Sequence, residues 1–453
     1  MRKSMRPILL LAALLIGHGL LAESTPSRPN VLFIAVDDLN DWPAFLAGHP
    51  DAKTPNMDRL ARRGTVFRDA HCQFPLCGPS RASVFSGMLP STLQVFDQLK
   101  DDELQRRAHA KGTLLLHEYF AEAGYKTMAV GKLLHNHVPT GSVEMSGGRE
   151  PFGPKPKPGF KWVSDQTSTD WAAWPERDDE TADYRTAEWT VARLGESHDR
   201  PFLLMTGFLR PHVPWFVPQK WFDLHRPAAD LVLPPYRADD WDDIPPFAAT
   251  IATEPQYPTT AWAQEHDEWH NIVQAYLACV SYVDHYVGEV LDALDRSVYK
   301  DNTIVVLWSD HGYHLGEKGL FKKVTLWERS THVPLIVAGP GLPAGQECNQ
   351  VVSLIDMYPT MVDLAGLPAN EMNDGQSLRP LLDDPDAPWD RGAITTLFEG
   401  NHAVTTTEYR YIRYKDGSEE LYDRASDPNE WENLAVRPGL EAVKAELAQR
   451  LPR

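Results

Sequence analysis

Four cysteines in 453 residues, Cys72, Cys77, Cys279 and Cys348, are too few to staple a fold, and a chain this long can bury a core without staples. Basic residues are also scarce, with 44 Lys+Arg against 63 Asp+Glu and a formal net charge of −19. That deficit argues against a nucleic-acid partner, because phosphates are neutralised by clustered Lys and Arg, and against adhesion to anionic membranes. No Asn-x-Ser/Thr acceptor occurs, which points to a bacterial exported protein rather than a glycosylated eukaryotic one. No apolar run approaches the roughly 20 residues that span a bilayer. Proline, by contrast, is abundant at 37 residues and predicts many stiffened, irregular loops. At 42% hydrophobic residues the composition is globular, and no internal repeat is visible.

Arg2, Lys3 and Arg6 precede an apolar stretch at 8–16 and small residues up to Leu21-Ala22. This reads as a secretory signal peptide over residues 1–22. Its removal would take the formal charge from −19 to −22 and leave no stable membrane insertion. The expected location is exported, periplasmic or secreted. The rest divides into a large body, 23–390, and a small C-terminal subdomain, 391–453.

Four apolar, β-branched runs each end in reactive polar residues. Residues 31–36 stop at Asp37-Asp38, and 126–130 at Gly131-Lys132 with His135 just beyond. Residues 201–206 lead to Gly207-Phe208-Leu209-Arg210-Pro211-His212, and 303–308 to Ser309-Asp310-His311-Gly312. Continuous apolar runs suit strands buried on both faces of a parallel sheet. Helical periodicity at 111–123, ending before Gly124, and at 267–294 completes an α/β sandwich. Ligands in such sheets gather beyond the carboxyl ends of the strands, where these polar clusters fall. Residues 139–175 and 211–257 are rich in Pro, Gly and Trp, lack a sustained period, and read as ordered functional rims. Short strands at 393–398, 403–407 and 409–414 imply a small antiparallel sheet.

Asp37, Asp38, Asp310 and His311 offer three carboxylates and an imidazole. Either acidic pair alone suits a solvated strand end. Together, with Lys132 and His135 at neighbouring ends, they favour a hard divalent cation, Ca²⁺ or Mg²⁺. Cys77-Gly78-Pro79-Ser80-Arg81 lies where a loop enters a helix, since Pro79 suits the first turn. Residue 77 then sits near a helix N-terminus that favours anions. The residues alone leave open whether Cys77 is an activated nucleophile or a structural thiol beside an ion-paired Arg81. His49, His109, His198 and His225 read as surface residues and His332 as a structural or rim residue. Trp162, Trp171, Trp174, Trp215 and Trp221 read as loop pins rather than sugar platforms.

Cys77-Gly78-Pro79-Ser80-Arg81 matches the Cys-x-Pro-Ser-Arg signature of the type I sulfatases. The chain resembles that family from Pro29-Asn30-Val31-Leu32-Phe33 to Glu432-Asn433-Leu434 in the tail. Within the family it looks most like the iduronate-2-sulfatase branch. Gly131-Lys132-Leu133-Leu134-His135, the 207–212 and 309–312 segments and Thr331-His332-Val333-Pro334-Leu335 carry that likeness.

The resemblance implies an alkaline-phosphatase-like sandwich with a large, mostly parallel sheet and a small C-terminal antiparallel subdomain. It implies a sulfuric ester hydrolase in which a formylglycine-generating enzyme oxidises Cys77 to formylglycine. The hydrated aldehyde attacks the ester sulfur, and its second hydroxyl lets the sulfated intermediate collapse. Asp37, Asp38, Asp310 and His311, with residue 77, would hold Ca²⁺, preferred to Mg²⁺. Arg81 would orient the hydrated formylglycine with Lys132 close by, and His135 would accept a proton during elimination. Lys323, preferred to Lys322 from its spacing before Thr325-Leu326-Trp327, would bind sulfate. Lys323 or His212 would protonate the leaving oxygen. Arg210 would contact a substrate carboxylate. The implied substrate is a sulfated, uronate-containing carbohydrate. A phosphodiesterase or phosphonate monoesterase of the same fold, and a non-catalytic glycan-binding protein, are the alternatives. On so acidic a chain an anionic substrate requires a local positive island, which screening over roughly 8–10 Å lets act independently of the net charge.

Overall fold

The computed structural model describes residues 28–153, 155–156 and 169–452; the expected signal peptide and Trp162 lie outside them. The strand Asn30–Asp37 forms the centre of a nine-stranded sheet, because its residues are apolar on both faces. Leu32, Ile34 and Val36 point into one core, and Val31, Phe33 and Ala35 into the other. Parallel neighbours flank it, Thr303–Ser309 on one side and Phe202–Pro211 on the other. Lys126–Gly131 and Met145–Gly148 continue the parallel order outward from Phe202–Pro211. Beyond Thr303–Ser309, Leu335–Ala338 runs antiparallel to both its neighbours, and Thr65–His71 and Gln346–Ser353 close the sheet. The sheet is therefore mixed, with four central strands that are those expected from the apolar runs.

The helix Trp269–Arg296 covers one face, with Ile272, Val273, Tyr276, Val280, Val283 and Val287 buried along its stripe. Burying each such side chain stabilises the fold by about 1.5–3 kcal/mol. The helices Cys77–Ser86, Leu116–Glu122 and Met357–Leu364 cover the other face. The helix expected over 111–123 is shorter. A separate helix, Asp101–Ala110, ends at Gly112 (φ 81°), and Glu118 Oε2 accepts the Leu115 N–H at 2.8 Å to start the next one at Leu116. The two Pro-rich insertions meet where Trp171–Ala173 pairs with Trp215–Val217. Trp215 and Trp221 are buried, their indole N–H groups donating to Pro211 O and Asp178 Oδ1. His49 and His225 are buried as well, a correction to the surface reading: His49 stacks on Trp42 and contacts Val232 O, and His225 contacts Ser281. Among the described residues no helix is long and apolar enough to cross a membrane, and all four cysteines are free and buried.

The C-terminal sheet has four antiparallel strands, Ala393–Thr396, His402–Thr405, Tyr409–Arg413 and Glu419–Asp423. Buried charges tie it to the body. Arg410 pairs with Glu328 and with Glu430 (2.7 Å), and donates to Thr331 Oγ1 (3.1 Å) and Leu326 O (3.3 Å). Arg424 holds Asp69 bidentately at 2.7 and 2.8 Å. Next to them His332 contacts Glu328 (3.3 Å) and Asp41 (3.6 Å). Burial works against the His332 charge, but Asp41 and Glu328 hold its pKa up to about 9. A raised folded pKa adds stability that is full below the unfolded value near 6.5 and lost as pH rises through 9. The unfolding free energy from denaturant melts is therefore expected to fall between pH 6.5 and 9, by on the order of 3 kcal/mol at most, and a His332→Gln variant should lose that slope.

Candidate active site

Each residue of the 77–81 pentapeptide has a structural task. Leu76 is extended and Cys77 is the first residue of its helix. A Cβ on Gly78 would lie 2.1 Å from Gln98 Oε1, which instead accepts the Gly78 N–H at 2.9 Å. Pro79 occupies the first turn, where a missing N–H costs nothing. Ser80 Oγ donates to Asp310 O at 2.6 Å and so docks the helix onto the end of the Thr303–Ser309 strand. Arg81, fully buried, sends Nε to Asp310 Oδ2 (2.7 Å), Nη2 to Asp37 Oδ1 (3.2 Å) and Nη1 to Lys132 O (2.7 Å). One guanidinium thus gathers three strand ends.

The strand ends turn inward by local devices. The pairing of Asn30–Asp37 with Phe202–Pro211 slips at Val36/Asp37, and Asp38 adopts φ 61°, a left-handed conformation that Asp tolerates. The two segments lie so close at Gly131 (φ 79°) and Gly207 that a Cβ on Gly131 would meet Gly207 O, and one on Gly207 would meet Lys132 O, each at 2.0 Å. This approach directs Lys132 Nζ onto Asp37 Oδ2 at 2.5 Å.

Around the thiol, Lys323 Nζ lies 3.0 Å and His311 Nε2 3.3 Å from Cys77 Sγ, and Asp38 Oδ1 lies 3.9 Å away. Lys323 also donates to Asp38 Oδ1 at 2.7 Å, whereas Lys322 turns away to Glu254 Oε1 (2.6 Å) and Ala252 O (3.1 Å). His212 Nε2 stands 3.9 Å from Asp38 Oδ2. His135 follows Lys132 on the same loop, and its Nδ1 is buried without a partner. Arg210 is buried and donates to Phe216 O and His212 O at 3.1 Å each.

Charge in this pocket is unevenly balanced. Burial raises the Asp37 pKa, yet Lys132 and Arg81 hold it well below the usual range. For Asp38 burial wins over Lys323 and His311 and pushes the carboxyl up to about 7. Burial, with Lys323 and Lys132, keeps His212 neutral, while burial fails against Asp38 and Lys323 stays charged. Asp38 Oδ2 is a buried oxygen with no hydrogen-bond partner. Ligand atoms of Asp37, Cys77, Asp310 and His311, and of Asp37, Asp38, Cys77 and His212, lie within 4.8 Å of one another. An orphaned carboxylate oxygen in an oxygen-rich set fits a hard divalent cation.

Two residues near this site were missed from the sequence. Arg149 donates to His135 O (3.3 Å), covers the Phe152 ring at 5.5 Å, and has a buried Nε without a partner. Phe152 in turn stacks on His212 with centroids 5.2 Å apart. Burial lowers the Arg149 pKa, with Asp37 opposing that shift. A basic residue three places before an aromatic in a Gly- and Pro-rich loop was the available hint, and many surface loops share it. Tyr257, from the second insertion, is the other: its phenol is close enough to Lys323 and Asp38 to feel their charge.

A sheet of this topology, with carboxylates, cations and a helix-terminal thiol buried at its carboxyl edge, defines an alkaline-phosphatase-like hydrolase of anionic esters. The "Sulfatase" family profile matches residues 29–367, and the profile "N-sulphoglucosamine sulphohydrolase, C-terminal" matches 316–453. The chain belongs to the sulfatase family and is a sulfuric ester hydrolase. It is 46% identical to a "Sulfatase" of Formosa agariphila, over 92% of this chain and 86% of that protein. It is 30% identical to human "Iduronate 2-sulfatase" (78% and 72% covered) and 29% to a "Delta 4,5-hexuronate-2-O-sulfatase" of Bacteroides thetaiotaomicron (94% and 88%). Among solved structures it resembles a "2-O GAG sulfatase" with TM-score 0.74 at 25% identity, covering 93% and 91%. The fold is also that of the "Phosphonate Monoester Hydrolase" of Agrobacterium radiobacter, with TM-score 0.75 at 22% identity, covering 93% and 94%.

Proposed function

We propose that this protein is an exported bacterial sulfatase that removes sulfate from a uronate-containing glycan, using a formylglycine at position 77 and a bound Ca²⁺. The observation that carries the reading is the convergence of Lys323, His311 and Asp38 on the side chain of residue 77. Relatives that act on hexuronate 2-O-sulfate and on glycosaminoglycans support the substrate class. Asp37, Asp38, Asp310 and His311 would hold the cation beside residue 77, and their hard oxygens suit Ca²⁺. When present, the cation takes up charge on sulfate oxygens, and a hydrated aldehyde supplies a nucleophilic hydroxyl with a second one to expel sulfate.

The chain's own groups do the remainder. Arg81 fixes Asp37 and Asp310 and so the distance between strand ends. Lys132 and Lys323 add positive charge where the sulfate must lie. Lys323 is protonated and near residue 77, so it delivers the proton to the leaving alcohol, while His212 is held neutral and positions Phe152. Burial, with Lys132 and Arg149, keeps His135 neutral, able to accept a proton from the residue-77 hydroxyl.

Of the two arginines flanking Phe152, Arg210 spends Nε and Nη1 on backbone carbonyls, whereas Arg149 Nε is buried without a partner, so we assign the substrate carboxylate to Arg149 ahead of Arg210. Arg149→Ala is expected to raise KM for a 2-O-sulfated uronate about tenfold, the loss of one charge-assisted pair, with a smaller effect on 4-nitrophenyl sulfate. Equal losses on both substrates would refute the assignment.

The function itself is tested by comparing kcat/KM for 4-nitrophenyl sulfate with that for a bis-aryl phosphodiester and an aryl phosphonate. The sulfate ester should be preferred. Preference for a phosphorus substrate would place the enzyme with the phosphonate monoester hydrolases, whose fold it shares. A protein that only binds glycans would turn over none of them.

A further inference from the structure

Beside the catalytic pocket lies a cavity of about 300 Å³ whose lining includes Tyr236, Trp241, Glu254, Tyr257, Lys318 and Lys322. That volume is at the lower end of small-molecule sites and suits one sugar ring. Tyr257 forms the partition. Its ring lines the cavity and carries Lys322 Nζ 5.4 Å from its centroid, while its phenol senses the charges of Lys323 and Asp38. The adjacent lysines divide the same way, Lys323 toward Cys77 and Lys322 toward Glu254 in the cavity wall.

The walls are already fixed in place. Trp241 Nε1 donates to Lys318 O at 2.7 Å, and the Tyr236 ring packs edge-on against Trp269 at 5.9 Å. Two hydrogen bonds hold Lys322 Nζ. Three aromatic rings around a few polar groups form the usual composition of a carbohydrate site, apolar faces against ring C–H and charged tips against hydroxyls. Preorganised walls lose little side-chain entropy when a ligand enters.

We propose that this cavity is the subsite for the sugar ring bonded to the sulfate-bearing one, with Tyr236, Trp241 and Tyr257 as its walls and Lys322 and Glu254 as hydrogen-bonding partners for its hydroxyls. The assignment rests on the glycan sulfatase reading and extends it from a sulfated monosaccharide to a two-ring footprint.

Ala238 and Ala261 are exposed residues at the cavity rim, so a bulky side chain at either fills the space without removing a wall. In the full chain, Ala261→Trp and Ala238→Trp should each lower kcat/KM for a sulfated uronate–hexosamine disaccharide about tenfold, through KM. Turnover of 4-nitrophenyl sulfate and of the sulfated monosaccharide should change by less than about twofold. Equal losses on all three substrates, or none on the disaccharide, would overturn the proposal. Saturation-transfer NMR with the desulfated disaccharide needs no turnover: binding to the parent that both variants lose supports the subsite, and no binding contradicts it. Lack of turnover of any sulfate ester by the parent would refute the sulfatase reading, while the NMR result would still judge the cavity.

Discussion

Cys77→Ala is expected to lower sulfate ester turnover by at least about ten-thousandfold, to background, while leaving the fold intact. The two effects separate because of where Cys77 stands. Its thiol is buried in contact with Lys323 and His311 but belongs to neither of the apolar clusters that pack the faces of the sheet. The backbone at the helix start is held by Gly78, Ser80 and Arg81 instead. Cys77→Ser is expected to be almost as inactive. A single hydroxyl can attack, but the resulting sulfate ester has no second hydroxyl on the same carbon to expel it. Comparing steady-state rates and thermal midpoints of the parent and both variants checks this, and a Ser variant with near-parental turnover would contradict the two-hydroxyl argument.

Arg410→Met is expected to give the largest loss of stability, about 3–5 kcal/mol, because it leaves buried Glu430 facing half-buried Glu328 without their shared cation. Burial already pushes the Glu430 carboxyl up to about 7 against the pull of Arg410. A carboxyl whose folded pKa is raised binds its proton more tightly folded than unfolded, so acid favours the fold and the penalty grows as pH rises through 7. The deficit of the variant should thus be larger at pH 8 than at pH 5, and Arg410→Met with Glu430→Gln should recover part of it. Turnover should fall too, since Arg410 holds Leu326 and Thr331 just after Lys323 in the chain. Denaturant melts at the two pH values measure this directly; a uniform, pH-independent loss would point to packing rather than charge.

The four central strands were legible because a fully buried parallel strand must be apolar throughout, and each ends where solvent-side chemistry begins. The strand Thr65–His71, which lies between Leu335–Ala338 and Gln346–Ser353, was not, since TVFRDAH carries Arg68 and Asp69 to partners elsewhere in the chain. Residues 77–81 were legible as a unit because they match the type I sulfatase signature; the residues alone showed a loop entering a helix and left the role of Cys77 open. The ionic clamp of Arg410, Glu328 and Glu430 was not, because Glu328 lies 82 residues before Arg410 in the chain and all three charges look like solvated faces until the chain folds. Arg149 and Tyr257 were missed for a related reason: both arrive from Pro-rich insertions, whose paths follow no period.

The central claim, that residue 77 works as a formylglycine, is tested most directly by the mass of the Cys77 peptide from active protein made in its native host. The account predicts a peptide lighter by about 18 Da than the encoded one, as oxidation of a cysteine side chain to an aldehyde requires. A fully unmodified Cys77 peptide in a preparation that hydrolyses sulfate esters would contradict it.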